Sequence, residues 1–266
     1  MIKLIVWLMS VTVFCSFSAY ADNAFVALVK QTEVTEKEVQ DALTQLEKYK
    51  KIELKQNLSI SPFHHQNEID VDAKKKTKQP FCQVCHLEKP HQANQRNRSF
   101  LNMHTDYISC ETCHLKTKNI KLDYHWLAFS FPNTGEMIYV ANSPHYKVVK
   151  ATASIIPRPG VRISPFMQGQ PVLTFKDSDF SKDVEQKWKN LRTEEKAKLK
   201  AELHKPLNQK GVRCSGCHSE KESILNLELL GANVKESHGI TSNTIANFFK
   251  RYKKDSDQFK MSDLLR

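Results

Sequence analysis

The 266-residue sequence predicts an α+β chain with little regular secondary structure: several short helices and a β-rich insertion around turn-rich, cysteine-bearing segments. Three observations predict it. Helical periodicity is confined to short stretches near residues 36–52 and 181–204, strand-like alternation to residues 126–175, and the region 60–120 is polar and turn-rich without an apolar period of its own. With 40% hydrophobic and 26% charged residues the composition is that of an ordinary globular chain.

The elements follow in chain order. Lys3 precedes an apolar run from Leu4 to Phe17 and then Ala19-Tyr20-Ala21, a small-x-small pattern; residues 1–21 therefore read as a secretory signal peptide cleaved after Ala21. The run is about 14 residues, short of the roughly 20 that a membrane-spanning helix needs, so the mature chain is expected to be periplasmic and not itself membrane-spanning. An uncleaved N-terminal anchor is the alternative. Cys15 lies inside the run behind Phe14 and is read as signal-peptide filler. Residues 22–60 form an N-terminal helical segment, with Thr35 and Glu38 as a capping box and Val39, Ala42, Leu43, Leu46 and Tyr49 on one face of a helix over 36–52.

Residues 61–120 hold two cysteine pairs, and residues 121–176 form the β-rich insertion. There Trp126–Phe131, a turn at Pro132-Asn133-Thr134-Gly135 and Glu136–Val140 predict a hairpin, with further strands at Tyr146–Ile156 and Val172–Phe175. The insertion is expected to serve as a docking surface. Residues 177–266 carry the third cysteine pair and a C-terminal tail. Ser181 and Thr193 are read as helix caps, Pro206 as the stop after His204, and Asn243–Tyr252 as a last helix.

The cysteines carry the chemical argument. All six outside the signal segment fall into pairs spaced by two residues, each followed at once by histidine: Cys82-Gln83-Val84-Cys85-His86, Cys110-Glu111-Thr112-Cys113-His114 and Cys214-Ser215-Gly216-Cys217-His218. Two thiols one short turn apart can form thioethers with the two vinyl groups of a heme, and the adjacent imidazole then lies beneath the iron. Zinc binding, redox disulfides and structural bridges also use paired cysteines, but none requires the histidine. Histidine occupies 11 of 266 positions, so its presence after all three pairs by chance has a probability on the order of one in ten thousand. The pattern predicts three covalent hemes c, with His86, His114 and His218 as proximal iron ligands.

Eight further histidines compete for the opposite axial positions, and this surplus points to bis-histidine coordination. His104 and His204, upstream of the second and third pairs, and one of His64 and His65, after Pro62-Phe63, are the expected distal ligands. His125 and His145 are held in reserve, His91 and His238 are read as surface residues in polar loops, and Met103 is the methionine alternative.

With these motifs the chain resembles the multiheme cytochrome c superfamily. The resemblance implies an interior packed by porphyrin and a role in moving electrons between redox partner proteins, with a quinol-linked membrane cytochrome or a terminal reductase as candidate partners. The second pair begins only 28 positions after the first, so their hemes are expected to be neighbours, as in small cytochromes of the c3 and c7 kind. The cysteine-free stretch 114–213 departs from that pattern.

An electron carrier needs no catalytic residue, and the chain is read as more probable in that role than as an enzyme. The competing reading is a reductase or oxidase of a nitrogen or sulfur oxyanion, with one open heme and Lys147, Arg158 or Arg162 holding the anion. The formal charge of +11 falls to about +7 once the signal segment is removed and three hemes, each about −1, are bound. Export argues against nucleic acid as the partner of this basic surface. Oligomeric state is not legible from the sequence.

Overall fold

The computed structural model describes residues 23–49, 77–93, 97–118, 120–130, 134–138 and 160–242. The signal segment, His64, His65, His145, Lys147, Arg158, the strand expected at Tyr146–Ile156 and the helix expected at Asn243–Tyr252 lie outside the described residues.

Helix α1 (Ala24–Lys30) starts where the Asn23 side chain accepts from the Phe25 amide. The same side chain donates to the carbonyls of Pro171 and Leu173 at 2.8 and 2.6 Å, so one cap also anchors the helix to a segment about 150 residues away. Helix α2 (Glu36–Tyr49) opens on the expected capping box: the Thr35 amide donates to Glu38 Oε2 at 2.9 Å and the Glu38 amide to Thr35 Oγ1 at 3.4 Å.

A π-helical turn (Asn97–Leu101) runs into the single turn α3 (Asn102–His104), and α4 (Cys110–His114) is the second cysteine motif itself. Helices α5 (Asp179–Asn190) and α6 (Thr193–His204) are separated by extended backbone at Leu191 and Arg192. Helix α7 (Val234–Thr241) begins at an Asn233/Glu236 capping box.

The caps of α5 and α6 differ from expectation. Ser178, not Ser181, caps α5, accepting from the Ser181 amide at 3.2 Å. Ser181 is fully buried and donates to the Phe175 carbonyl at 2.7 Å, fixing how the helix meets the preceding chain. Arg192, not Thr193, precedes α6, and Glu195 Oε2 accepts from its amide at 2.8 Å. Helices α2 and α6 pack through Ala42, Ala197 and Ala201, flanked by Val34, Val39, Leu43 and Leu46. Small side chains along this seam let the two backbones approach closely. Lys205, one residue beyond α6, closes it by donating to both carboxylate oxygens of Glu38 at 2.6 Å.

The sheet has the order β2-β1-β3-β4, all antiparallel, with β1 at Asp123–Ala128, β2 at Met137–Ile138, β3 at Val161–Met167 and β4 at Gln170–Pro171. The expected hairpin is present, in the register Trp126 to Ile138. The longest strand, β3, is one the sequence reading missed. Pro165 stands in its middle opposite Tyr124, and Arg162 and Ser164 break the apolar run, yet every residue from Arg162 to Phe166 is buried. A two-residue turn at Gln168 and Gly169, with φ of 51° and 77°, returns the chain to β4.

Val172–Phe175, expected as a strand, is instead a core strap. Its carbonyls are divided between separate segments: Val172 accepts from Phe25 at 3.1 Å and Thr174 from Phe81 at 2.9 Å. The apolar run there reflects burial rather than a ladder.

Two apolar clusters tie the cysteine motifs to this frame. Phe25, Phe81, Leu115, Val172, Val184 and Leu203 join α1, the first two motifs, the strap, α5 and α6. Tyr124, Ile163, Leu225 and Leu230 join the sheet to the third motif, with Cys217 against them and Trp126 Nε1 donating to the Leu230 carbonyl at 2.9 Å. Strands β1 and β3 are thus a wall of the shared interior. No helix among the described residues is long and apolar enough to cross a membrane.

Ala197→Leu should overfill the α2/α6 seam and destabilise the chain by about 1–3 kcal/mol in denaturant unfolding followed by circular dichroism. The hydrogen bond from Lys205, with those from Thr35, holds the Glu38 carboxyl down at about 2. Because this folded-state value lies below the ordinary carboxylate range, its stabilisation is complete above about pH 4.5 and lost as pH falls through about 2. Glu38→Gln should therefore flatten the acid limb of the stability curve in that window, read by the melting temperature across acid pH.

Candidate heme centres

Each motif is one tight turn. In the first, a 3₁₀ turn (Phe81–Val84) leads the His86 amide back to the Cys82 carbonyl at 3.0 Å. The third repeats it, with the His218 amide on the Cys214 carbonyl at 2.8 Å. The second is helical throughout, and its start is tied to the sheet: the Ser109 amide and the Thr112 hydroxyl both donate to the Ile163 carbonyl at 2.9 Å. None of the six described cysteines is in a disulfide. Among the described residues no cluster of three or more His, Cys, Asp or Glu side chains is arranged around a metal ion. What the histidines form instead is pairs.

His86 faces His204 with ring centroids 6.0 Å apart, His114 faces His91 at 6.3 Å, and His218 faces His104 at 6.2 Å. Two imidazoles bound on opposite sides of one iron, each with Fe–N of about 2 Å and a ring centre about 1 Å beyond, stand about 6.3 Å apart. In every pair one histidine follows a cysteine pair and the other comes from elsewhere. The His91 and His114 rings are nearly parallel at 16°, whereas the other two pairs are steeply crossed at 70° and 87°.

Hydrogen bonds orient the rings. Nδ1 of His114 meets the Asn208 carbonyl at 2.9 Å, that of His218 the Ile240 carbonyl at 2.7 Å, that of His104 the Phe100 carbonyl at 2.7 Å and that of His204 the Lys200 carbonyl at 2.8 Å. Nδ1 of His91 meets Asn102 Oδ1 at 3.1 Å. An acceptor at Nδ1 requires the proton there, which leaves the Nε2 lone pair free for a metal. Burial also pushes His86, His91 and His204 below the ordinary histidine value, favouring the neutral form that ligates.

Of the expected distal histidines, His104 ends α3 and His204 ends α6, each facing a motif histidine. His91, expected on the surface, is the residue that faces His114; its backbone amide and carbonyl are both held by the Asn102 side chain, at 3.0 and 3.2 Å. The available signal was Pro90, which restricts the approach to His91 just as Pro62 does upstream of His64. The reserve His125 sits in β1, edge-on to Phe166 at 5.4 Å and outside the three pairs. Met103 is exposed, and His238 meets Glu220 at 3.4 Å.

The second motif lies between the other two. The Cys82 thiol donates to Glu111 Oε1 at 3.3 Å, which joins the first motif to the second, and its hydrogen bond with Cys110 and then burial raise it well above its ordinary value. Burial and then the proximity of Cys217 and Cys110 push Cys113 up to about 12, linking the second motif to the third. The loop before the third motif runs along the second, with the Val212 amide on the Cys113 carbonyl at 2.9 Å. Gly211 permits this passage: a Cβ there would stand 3.3 Å from that carbonyl and 3.5 Å from His114 Cε1.

Residues 24–115 match the family model for cytochrome c554 and c-prime. The match runs from α1 through the first two motifs and includes both His91 and His104. It supports a multiheme c-type cytochrome with covalently bound heme and an electron-transfer role. No curated protein and no solved structure matches the chain. The paired imidazoles and the tight cysteine turns fit such a cofactor.

Asn102, 9% exposed, holds His91 through backbone and ring. Asn102→Ala should cost about 1–3 kcal/mol in thermal unfolding, because it strands buried polar groups. Gln92→Ala, which loses one exposed bond to the Lys89 carbonyl, should change stability by less than about 0.5 kcal/mol.

Proposed function

We propose that the chain is an exported triheme c-type cytochrome that relays electrons between redox partner proteins through three bis-histidine hemes. Cys82 and Cys85 would hold the first heme between His86 and His204, Cys110 and Cys113 the second between His114 and His91, and Cys214 and Cys217 the third between His218 and His104. The observation that carries this reading is the threefold recurrence of a motif histidine facing a second histidine at 6.0–6.3 Å. Export rests on the Leu4–Phe17 run and Ala19-Tyr20-Ala21, and the partners remain those expected above, a quinol-linked membrane cytochrome or a terminal reductase.

Heme c supplies a reversible one-electron site that, with both axial positions filled by imidazole, changes oxidation state with little reorganisation. The residues of this chain hold those positions. The carbonyls at Nδ1 fix the tautomer and rotation of four imidazoles and Asn102 those of a fifth, so the ligand set is pre-oriented. The Cys82 bond to Glu111 and the Val212 bond to the Cys113 carbonyl support a second site lying between the first and the third.

Two observations weigh against the oxyanion reductase. Each motif histidine faces another imidazole, which leaves none of the three with an open opposite side. Arg162, the described member of the anion-binding trio, is 9% exposed and covers the Phe129 ring at 4.8 Å rather than lining an opening.

Ferric EPR and visible spectra of the purified holoprotein test the reading. All three hemes should be low-spin and indifferent to cyanide and carbon monoxide. Parallel imidazole planes split the iron d orbitals and crossed planes leave two nearly degenerate, so one rhombic signal from the His91/His114 site should accompany two strongly anisotropic ones. His91→Ala, His104→Ala and His204→Ala should each convert one heme to a high-spin, carbon-monoxide-binding form. A wild-type heme that already binds carbon monoxide would return the reductase to the lead.

A further inference from the structure

Glu111 occupies a position in the second motif where heme attachment asks nothing of the side chain, yet it is 2% exposed, the only carboxylate among the described buried residues. Its Oε1 accepts from the Cys82 thiol of the first motif at 3.3 Å, a bond that thioether formation would remove, and its Oε2 is buried without a partner. The groups that face it come from three directions. Cys82, with Cys110 against it, lies on the first-motif side, Ser109 stands at the start of its own helix, and Arg162 acts on it from β3. Arg162 is itself buried with Nε unpartnered. A glutamine or leucine would fill this place without stranding a carboxylate oxygen.

Any electron arriving at the first or second site adds negative charge beside this carboxylate, and burial makes that repulsion strong. We propose that Glu111 is the proton acceptor of the first and second heme sites, binding one proton as one electron enters that pair and releasing it as the electron leaves. This rests on the triheme reading above. The electron comes from the redox partner protein and reduces one iron from ferric to ferrous; the proton comes from solvent and converts the Glu111 carboxylate to carboxylic acid, so the charge of the junction is unchanged. Oxidation reverses both. Burial raises the Glu111 carboxyl, while hydrogen bonds to it and, last, the Arg162 charge oppose that rise.

The test is a spectroelectrochemical titration of the full holoprotein across the neutral pH range, after counting covalent hemes by intact mass. Fewer than three hemes would sink the triheme reading itself. With three, two midpoint potentials should fall as pH rises, their combined slope bounded by about 59 mV per unit, the limit for one proton taken up with one electron. In Glu111→Gln those two should become pH-independent while the third is unmoved. Arg162→Gln should shift the sloping window to higher pH. Infrared difference spectra of the wild type should show a protonated-carboxyl stretch appearing on reduction, which decides the matter even if the Gln variant fails to mature. Slopes that survive in Glu111→Gln, or no such band in the wild type, would overturn the proposal.

Discussion

In the proposed triheme arrangement each histidine locked behind its second cysteine takes one face of a porphyrin, and the rest of the chain delivers a second imidazole about 6 Å away on the other side. Much of the architecture follows from meeting that requirement three times. His204 is carried in at the end of α6, His104 by the turn α3, and His91 by the loop after the first motif. Each facing pair joins segments distant in sequence or structurally distinct, and so cross-braces a chain with few long elements.

The supports behind these pairs explain features that serve no obvious local purpose. The alanine seam between α2 and α6 and the Lys205 contact to Glu38 hold the end of α6, and with it His204, in one place. The sheet does the same for the other sites: β3 receives the start of α4 through the Ile163 carbonyl, and β1 receives the third motif through Tyr124 and Trp126. Hydrogen bonds at Nδ1 then orient five of the six rings.

Packing three sites this closely places ionisable groups where water does not reach. Glu111 and Arg162 stand buried at the junction of the first two motifs, each with an unpartnered atom, while the surface charges form ordinary exposed pairs such as Lys187 with Asp183 and Lys78 with Asp177. Surface pairs of that kind contribute little. The buried carboxylate is where electrostatics can act on electron transfer.

Local chemistry was legible in the sequence because it depends on near neighbours. The Cys-x-x-Cys-His spacing named the proposed attachment sites, and the Thr35/Glu38 box and the period over 36–52 named α2. The helix ending at His204 and the first hairpin were readable for the same reason. Whatever depends on partners far along the chain was not. β3 was hidden because its buried strand takes in Pro165, opposite Tyr124, and Arg162, over the Phe129 ring, and Val172–Phe175 looked like a strand although its carbonyls are divided between separate segments. His91 has the composition of a polar loop, and nothing near it reveals Asn102 or His114. Which imidazole faces which is a relation across the folded interior, so tertiary structure alone decided it, since spacing along a chain sets only what one turn can reach.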